Sequence, residues 1–361
     1  MRHWTLNWYL FRSYLRNFVS TMFAISALIY VINMIEVSRR GQLNDFGFGT
    51  VALFSALQVP AFVEQALPFI VLFSSIFVLL SLNRRLELVV ARAAGVSIWQ
   101  ILMPFLAGSL LIGVFATFVL NPSAAWTTEA ALQYNNRLTG ESGNNNDPDK
   151  FTWLRQNSHG VKSIIGGAAV GGDGFTLRNV SAFVMGDDGK VRERIDAPRA
   201  VLGKGHWTLE KPRVTRIGYT PEFPQEYRLP TTLKPQYIQQ RIADPQSVPI
   251  WDLPSKIGIA QSLGLNAMAF SMQLQTLIAR PALFIAMTLL AATVATRFSR
   301  TGQSGRTIAS GVLAGFMLYV VTFLAKALGS NSIVPPVAAA WFPVLGAGLF
   351  GVTVLLHQED G

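Results

Sequence analysis

Long stretches of the chain carry no charged residue, and this feature limits the possible folds more than any other. Examples are residues 17–35, 65–83, 93–128 and 327–358. A helix needs about 20 apolar residues to cross the hydrocarbon core of a bilayer, so each stretch is long enough to span. Only 14% of all residues are charged, whereas soluble proteins carry about 25%. The sequence therefore predicts a multi-pass membrane protein.

Six membrane spans are expected, in two groups of three. Residues 1–13 mix aromatic and basic side chains, which suits a helix at the membrane interface. The predicted spans cover about 14–36, 51–82 and 98–120 in the first group, and about 270–297, 307–329 and 334–356 in the second. Pro60 and Pro68 interrupt the second span, and Asn121-Pro122 is expected to end the third.

Between the two groups the hydrophobic pattern changes to a period of two, which is typical of β-strands. Short alternating segments occur at 151–155, 161–165, 175–185, 190–195, 206–210 and 212–219, separated by turns rich in Gly and Asp. The glycines of 166–174 are predicted to form a loop between strands. The fold class is therefore membrane α + β. Residues 1–122 form the first helical half, 123–266 a β-jellyroll-like or sandwich domain, and 267–361 the second helical half.

Basic residues cluster at one set of span ends, and their position predicts the orientation. The cluster comprises Arg2, Arg12, Arg16, Arg84, Arg85, Arg92, Arg297, Arg300 and Arg306. By the positive-inside rule, both termini, the 84–97 segment and the 297–306 loop face the cytoplasm, and the β domain lies on the outer side of the membrane. Residues 121–266 hold 17 Lys/Arg against 14 Asp/Glu. The net charge of +10 therefore does not indicate nucleic-acid binding.

No pattern of catalytic or metal-binding residues is found in the sequence. There is no cysteine, the four histidines are scattered, and no P-loop motif occurs. We therefore expect neither a metal site nor a cofactor in this chain. A lipid-modifying membrane enzyme would need converging carboxylates or histidines, and a receptor would need a cytoplasmic signalling domain.

Three ionisable residues lie within predicted spans, where charge is costly. For Glu64 and Arg280 there are two interpretations: a polar, cavity-facing role, or pairing between helices. Lys326 lies near the end of the fifth span, where it could extend to the headgroups or serve in the same polar set. Arg39 and Arg40 are exceptions of another kind, since they form a basic pair at the outer end of the first span.

The segment 84–97, RRLELVVARAAGVS, is amphipathic and too short to span. Arg84, Arg85, Glu87 and Arg92 surround its apolar residues. Such a helix could lie on the headgroups, or its apolar residues could dock in a groove of a cytoplasmic partner.

Several motifs together resemble the LptF/LptG permeases of the lipopolysaccharide export transporter. They are the E-L-V-V-x-x-x-x-G core from Glu87 to Gly95, the Arg-Pro of IARPALFIAMTLLAA, the stretch GRTIASGVLAGFMLYV and the VPP at 334–336. The segment INMIEVSRRGQ at 32–42 is closer to the LptG branch than to LptF.

The resemblance implies a transport subunit rather than an enzyme, with ATP and Mg bound by a partner. The expected partners are an LptF-like permease subunit, an LptB-like ATPase dimer and an LptC-like protein, with lipopolysaccharide as the cargo. By the same resemblance, Arg84, Arg85, Glu87, Arg92 and Gly95 couple the chain to the ATPase. Asn33, Glu36, Arg39, Arg40 and Arg137 are the expected lipid-binding residues, and the first and fifth spans are expected to face the partner subunit.

The chain departs from the family pattern at two positions. Asn33 stands where related LptG chains often have a lysine, and Ala61 replaces a basic residue often found after the first proline of the second span. Two further interpretations stay open: an LptF-type subunit, or a permease for another amphiphile.

Overall fold

A computed structural model describes residues 2–39, 47–138, 151–158, 161–170, 176–186, 190–203, 205–216, 218–231, 245–262, 267–295 and 304–360. It divides into two compact units. The first comprises Met1–Tyr134, Pro245–Pro254 and Met268–Gly361, and the second comprises Asn135–Asp244 and Ser255–Ala267.

The helices lie where the spans were predicted, but the first helix is a single one that joins the predicted interfacial segment 1–13 to the first span. Their bounds are α1 Arg2–Arg39, α2 Phe48–Arg84, α3 Glu87–Ala93, α4 Ile98–Phe115, a π-helical turn Ala116–Leu120, α5 Asn121–Leu138, α6 Leu253–Ser262, α7 Met268–Ala295, α8 Ser304–Ser330 and α9 Pro336–Asp360. Within the described residues, six helical stretches are long and apolar enough to cross a membrane: Thr5–Arg39, Phe48–Arg84, Ile98–Asn135, Met268–Ala295, Ala309–Ser330 and Pro336–Gln358. The predicted fold class, six membrane helices with an inserted β domain, is confirmed.

The third helical stretch is longer than expected. Asn121-Pro122 was expected to end it, but α4 continues through the π-helical turn into α5 and ends at Leu138. Pro122 lies inside this continuous helix and has no backbone N–H to donate. It comes directly after the π-helical turn, where bonds between residues five apart replace the regular pattern.

Helix α4 meets a proline of α7 where the π-helical turn begins. Pro281 has no N–H, so the carbonyl of Leu277 loses its partner within α7. The Thr117 hydroxyl, from the π-helical turn, donates to that carbonyl at 3.1 Å. One turn earlier, Gly113 lets the helices approach so closely that a Cβ there would lie 2.5 Å from Pro281 Cα. Since lipid offers no hydrogen bonds, this repair from a neighbouring helix is what a broken span requires.

The core of the helical unit is formed by one face each of α1, α2, α4 and α7. Tyr14, Ile70, Leu79, Phe105 and Phe284 are almost fully buried in it. The rings of Tyr14 and Phe105 meet edge to face at 5.5 Å, a geometry that aromatic quadrupoles favour.

The second unit contains an antiparallel sheet of seven described strands. They are β1 Phe151–Ser158, β2 Val161–Val170, β3 Thr176–Met185, β4 Val191–Leu202, β5 His206–Glu210, β6 Arg213–Arg216 and β7 Glu226–Pro230. The order is β1-β2-β3-β4-β5-β7, and β6 pairs with the first half of β4 while β5 pairs with its second half. The long strand β4 therefore carries two arms of the sheet.

One face of this sheet is apolar and buried. Trp207, Ile165, Ile195 and Leu209 are fully buried, and alternate residues of β3 and β4 join them. Near the edge of this core, the Glu193 carboxylate accepts hydrogen bonds from Arg216 of β6 at 2.8 Å and Tyr227 of β7 at 3.0 Å. Burial, together with the Glu193 charge, raises the pKa of the Tyr227 hydroxyl to about 12, so the hydroxyl keeps its proton as a donor well into the alkaline range.

Two sequence predictions about the β domain were wrong. Gly166 and Gly167 were assigned to a loop, but they lie inside β2 at a bulge. A Cβ at Gly166 would lie 2.4 Å from the Trp153 ring. Glycine at this position therefore leaves room for the ring to pack directly against the β2 backbone. Strand β7 was missed because its sequence, EYRLP, is short and ends in proline. The rest of the predicted loop, 171–174, lies outside the described residues.

The contact between α4 and α7 gives a stability prediction. Gly113→Ala should destabilise the protein by about 1–3 kcal/mol, because the methyl group meets backbone atoms that cannot rotate away. Thermal unfolding in detergent measures the effect. Gly346→Ala is the matched control, since a Cβ at this position of α9 meets nothing within 4 Å. Equal unfolding temperatures for the two variants would contradict this account.

Candidate functional site

Helix α3 is a short helix with defined ends, between two spans. Leu86, with φ of 60°, breaks the chain away from α2. At the other end, Gly95 adopts φ of 83°, its N–H bonds the Arg92 carbonyl and the Val96 N–H bonds the Ala91 carbonyl. This pair of bonds is a Schellman motif, which requires a left-handed residue and so favours glycine. The predicted 84–97 helix is thus a seven-residue helix with a turn on each side.

The next helix starts immediately after that motif. The Ser97 hydroxyl accepts the Gln100 N–H, and the Gln100 side chain accepts the Ser97 N–H. This capping box stabilises the start of α4. Because both ends of α3 are fixed by local hydrogen bonds, α3 is connected to α2 and α4 without a flexible linker.

Two faces of α3 differ in what they contact. Leu88 and Ala91 pack against the helical core. Leu86, Val89 and Val90 point away and are each more than half exposed, at 61%, 52% and 67%. Arg84, Arg85 and Arg92 are exposed around them. Exposed apolar residues rimmed by charge are typical of a surface that binds a protein or a membrane.

Glu87 has a partner within the chain. The Tyr9 hydroxyl of α1 donates to its carboxylate at 3.1 Å. Glu87 therefore fastens the start of α3 to α1. Sequence reasoning missed this role of Tyr9, because nothing in the local pattern connects residues so far apart.

Glu64 and Arg280 pair with each other inside the helical unit. The Arg280 Nη1 lies 2.7 Å from Glu64 Oε1, and the two side chains are only 12% and 9% exposed. Asn121 donates to the same oxygen at 2.9 Å, and its own carbonyl oxygen accepts the Ile250 N–H at 3.0 Å. Of the two interpretations left open by the sequence, the structure shows pairing between helices.

Asn121 is the member of this network that sequence reasoning overlooked. It was expected only to end a span, whereas its side chain connects α2 with the segment before α6. The signal available in the sequence was a polar residue beside a proline within a long uncharged stretch. Lys326 is likewise bonded within the helical unit, because its ammonium donates to Gln273 of α7 at 3.0 Å.

A groove lies between the end of α1 and the start of α2. It has a volume of about 430 Å³ and is lined by Met34, Ile35, Ser38, Arg39, Gly47, Phe48 and Val51. Most of its lining is apolar, and Arg39 provides a cation. This combination suits an amphiphile with an anionic headgroup.

Among the residues that the structure describes, none of the other expected lipid-binding residues lies in the lining of this groove. Asn33 is buried against α2, where its amide donates to the Ser55 carbonyl and to Gln58. Glu36 is half-buried. Arg40 lies outside the described residues, and Arg137 belongs to α5 but its side chain is not described. The structure thus brings Arg39 to the groove and turns Asn33 away toward α2.

Comparisons with known proteins agree with this layout. The sequence model of a family described as "Lipopolysaccharide export system permease LptF/LptG" matches residues 8–357. The lipopolysaccharide export system permease protein LptG of Haemophilus influenzae is 22% identical over 369 residues, covering 97% of each chain.

The buried ion pair gives a second stability prediction. Glu64→Gln and Arg280→Gln should each cost about 3 kcal/mol of unfolding free energy, because each leaves one buried charge without its partner. The double variant should cost less than the sum, since no unpaired charge remains. Denaturant titration of the four proteins in detergent measures the cycle. Strictly additive losses would show that the two side chains do not interact.

Proposed function

The chain belongs to the LptF/LptG family of lipopolysaccharide export permeases, and we propose that it is the LptG-type subunit of an ABC transporter. In this proposal the transporter takes lipopolysaccharide from the outer leaflet of the inner membrane. A separate LptB-like ATPase dimer, which holds ATP and Mg, drives the step. The chain itself supplies the path for the lipid and the contact through which the ATPase acts.

The observation that carries this proposal is the exposed apolar face of α3. Val89 and Val90 belong to a helix that cannot span, and Leu86 is the turn residue before it, so leaving the three side chains in water costs free energy. An ATPase groove would bury them, and the surrounding arginines would set the orientation of the contact. Since α3 is fixed at both ends, a movement of the ATPase would pass directly to α2 and α4.

The groove beside Arg39 is our proposed site for the lipopolysaccharide headgroup. Phosphorylated sugars carry negative charge, and arginine binds phosphate oxygens through two parallel hydrogen bonds. Ile35, Phe48 and Val51 provide apolar surface for the acyl chains beside it. Arg40, the next residue in the sequence, is proposed to add positive charge beside Arg39, and Glu36 to lie near this pair. Arg137 stays a proposed lipid-binding residue of α5.

The first and fifth spans are our proposed contact with an LptF-like subunit. Only 11% of the most apolar window of α1 and 17% of that of α8 are buried within this chain, against 67% for α2 and α7. These two helices therefore have the largest apolar faces left for another protein. An LptC-like protein is proposed to join the same assembly.

The β domain is proposed to lie in the periplasm and to receive the lipid from the membrane. Support comes from the basic residues at the α3 end of the helical unit, which the positive-inside rule assigns to the cytoplasm. The proposed receiving surface is the apolar face of the sheet around Trp207 and Ile195, which is buried in this structure and would have to be uncovered to take acyl chains.

A comparison of Glu87→Ala with Tyr9→Phe tests how α3 couples to the ATPase. Glu87→Ala should reduce ATPase co-purification by about tenfold or more, because a charged hydrogen-bonding group at a protein contact is worth about 1.5–3 kcal/mol. The measurement is the ratio of ATPase to permease after affinity purification from membranes.

Tyr9→Phe is the matched control for that experiment, because it removes only the internal hydrogen bond to Glu87. Near-normal ATPase recovery in Tyr9→Phe, with loss in Glu87→Ala, supports a direct contact. If both variants lose the ATPase equally, Glu87 acts only by holding α3 against α1, and the direct contact is wrong.

Charge reversal tests the headgroup site. Arg39→Glu combined with Arg40→Glu should lower lipopolysaccharide capture by about tenfold, because each basic residue near a charged membrane surface contributes about 1 kcal/mol. Capture is measured by photocrosslinking from a reactive residue placed at Phe48. Arg12→Glu, near the other end of α1, is the control. Undiminished crosslinking in the double variant would rule the headgroup site out.

A further inference from the structure

A second cavity lies at the opposite end of the α1–α2 pair, beside α3. Its volume is about 260 Å³, and its lining is mainly polar, in contrast to the groove at Arg39. Helix α1 contributes Tyr9, Ser13, Arg16, Asn17 and Ser20, and α2 contributes Ser81, Leu82 and Arg85. We call this cavity the arginine crevice.

The chemistry of the arginine crevice is that of an anion site. Two guanidinium groups and four hydroxyl groups line it, and its lining includes no carboxylate. Glu87 lies outside the lining and accepts a hydrogen bond from Tyr9. Guanidinium groups and hydroxyls are the donors that proteins use for phosphate oxygens.

Several of these donors are available for a ligand. Asn17 bonds the Ser13 carbonyl, and Tyr9 bonds Glu87. Arg16, Arg85 and Ser20 make no side-chain hydrogen bond or ion pair with another residue that the structure describes. The carbonyls at the end of α2 oppose an anion weakly, but two full positive charges at the rim outweigh that partial charge.

The surroundings indicate that the anion is attached to a lipid. On α1, Phe23 follows Ser20 on the same face and is 76% exposed. On α2, Phe77 lies one turn deeper than Ser81 and is 50% exposed. The polar crevice thus continues into exposed aromatic surface on both helices, within spans apolar enough to sit in a bilayer. A soluble anion would have no use for that surface.

We propose that the arginine crevice binds the phosphate of an anionic membrane phospholipid, whose acyl chains lie along Phe23 and Phe77. The site is separate from the groove at Arg39, and it does not depend on which lipid the chain transports. It also lies beside α3, since Arg85 directly precedes the turn residue Leu86.

The test uses the chain purified with its native partners in detergent and stripped of lipid. Phosphatidylglycerol and phosphatidylcholine with identical acyl chains are titrated separately, and bound lipids are counted by native mass spectrometry. The wild-type complex should retain phosphatidylglycerol in preference to phosphatidylcholine. Arg16→Gln should weaken phosphatidylglycerol binding about fivefold, because it removes one of two charges near the headgroup.

Arg12→Gln is the control, because Arg12 is an exposed arginine of the same helix that does not line the crevice. Equal losses in Arg12→Gln and Arg16→Gln would assign the effect to general surface charge and overturn the proposal. An unchanged affinity in Arg16→Gln would do the same. Displacement of the lipid by millimolar inorganic phosphate, without preference for phosphatidylglycerol, would identify a free-anion site instead.

Discussion

Pro281 breaks the hydrogen-bond ladder of α7 within the bilayer, and the arrangement of the neighbouring helices follows from how that break is repaired. The Thr117 hydroxyl bonds the freed Leu277 carbonyl, Gly113 makes room for the proline ring, and Arg280 reaches Glu64 on α2. In water each of these groups could be solvated, but in hydrocarbon each needs a protein partner. The requirement fixes α2, α4 and α7 relative to one another. Thr117 belongs to the π-helical turn Ala116–Leu120, so this turn supplies the hydroxyl that bonds the freed carbonyl.

The sequence predicted the parts of the fold that depend on local pattern. Long apolar stretches with few charges gave the six spans, and period-two alternation gave six of the seven described strands. The features it missed depend on contacts distant in sequence. Asn121 could be recognised as a network residue only once Glu64 and Ile250 were beside it. Gly166 was assigned to a loop because its reason for being glycine, the Trp153 ring, lies on another strand.

The residues of the candidate site also separate into those recognised from a local motif and those whose contacts are distant in sequence. Glu87 and Gly95 were identified from a motif, and the structure supplies a physical reason for Gly95, which is the left-handed residue of the Schellman motif. The partner of Glu87 could not be predicted, because Tyr9 lies 78 residues earlier in the sequence. Asn33 shows the limit of transferring a role from a resemblance. It occupies the position of an expected lipid-binding residue, yet its amide is bonded to α2.

Helix α1 is held unevenly, and this bears on how a lipid could enter. In its first half, Leu10, Tyr14 and Phe18 are buried in the helical core. In its second half, Asn33 and Val37 are the buried residues that the structure describes, and the Tyr30 hydroxyl adds a long bond to the Ala52 carbonyl at 3.4 Å.

Hydrogen bonds between helices in a membrane contribute only about 0.6–2 kcal/mol each. The Arg39 end of α1 is therefore the end that separates from α2 at the lower free-energy cost, and it is the end that carries the apolar groove. The end that carries the arginine crevice is fastened by the core and by the bond from Tyr9 to Glu87. An opening motion of α1 would thus pivot beside α3 and widen the groove at Arg39.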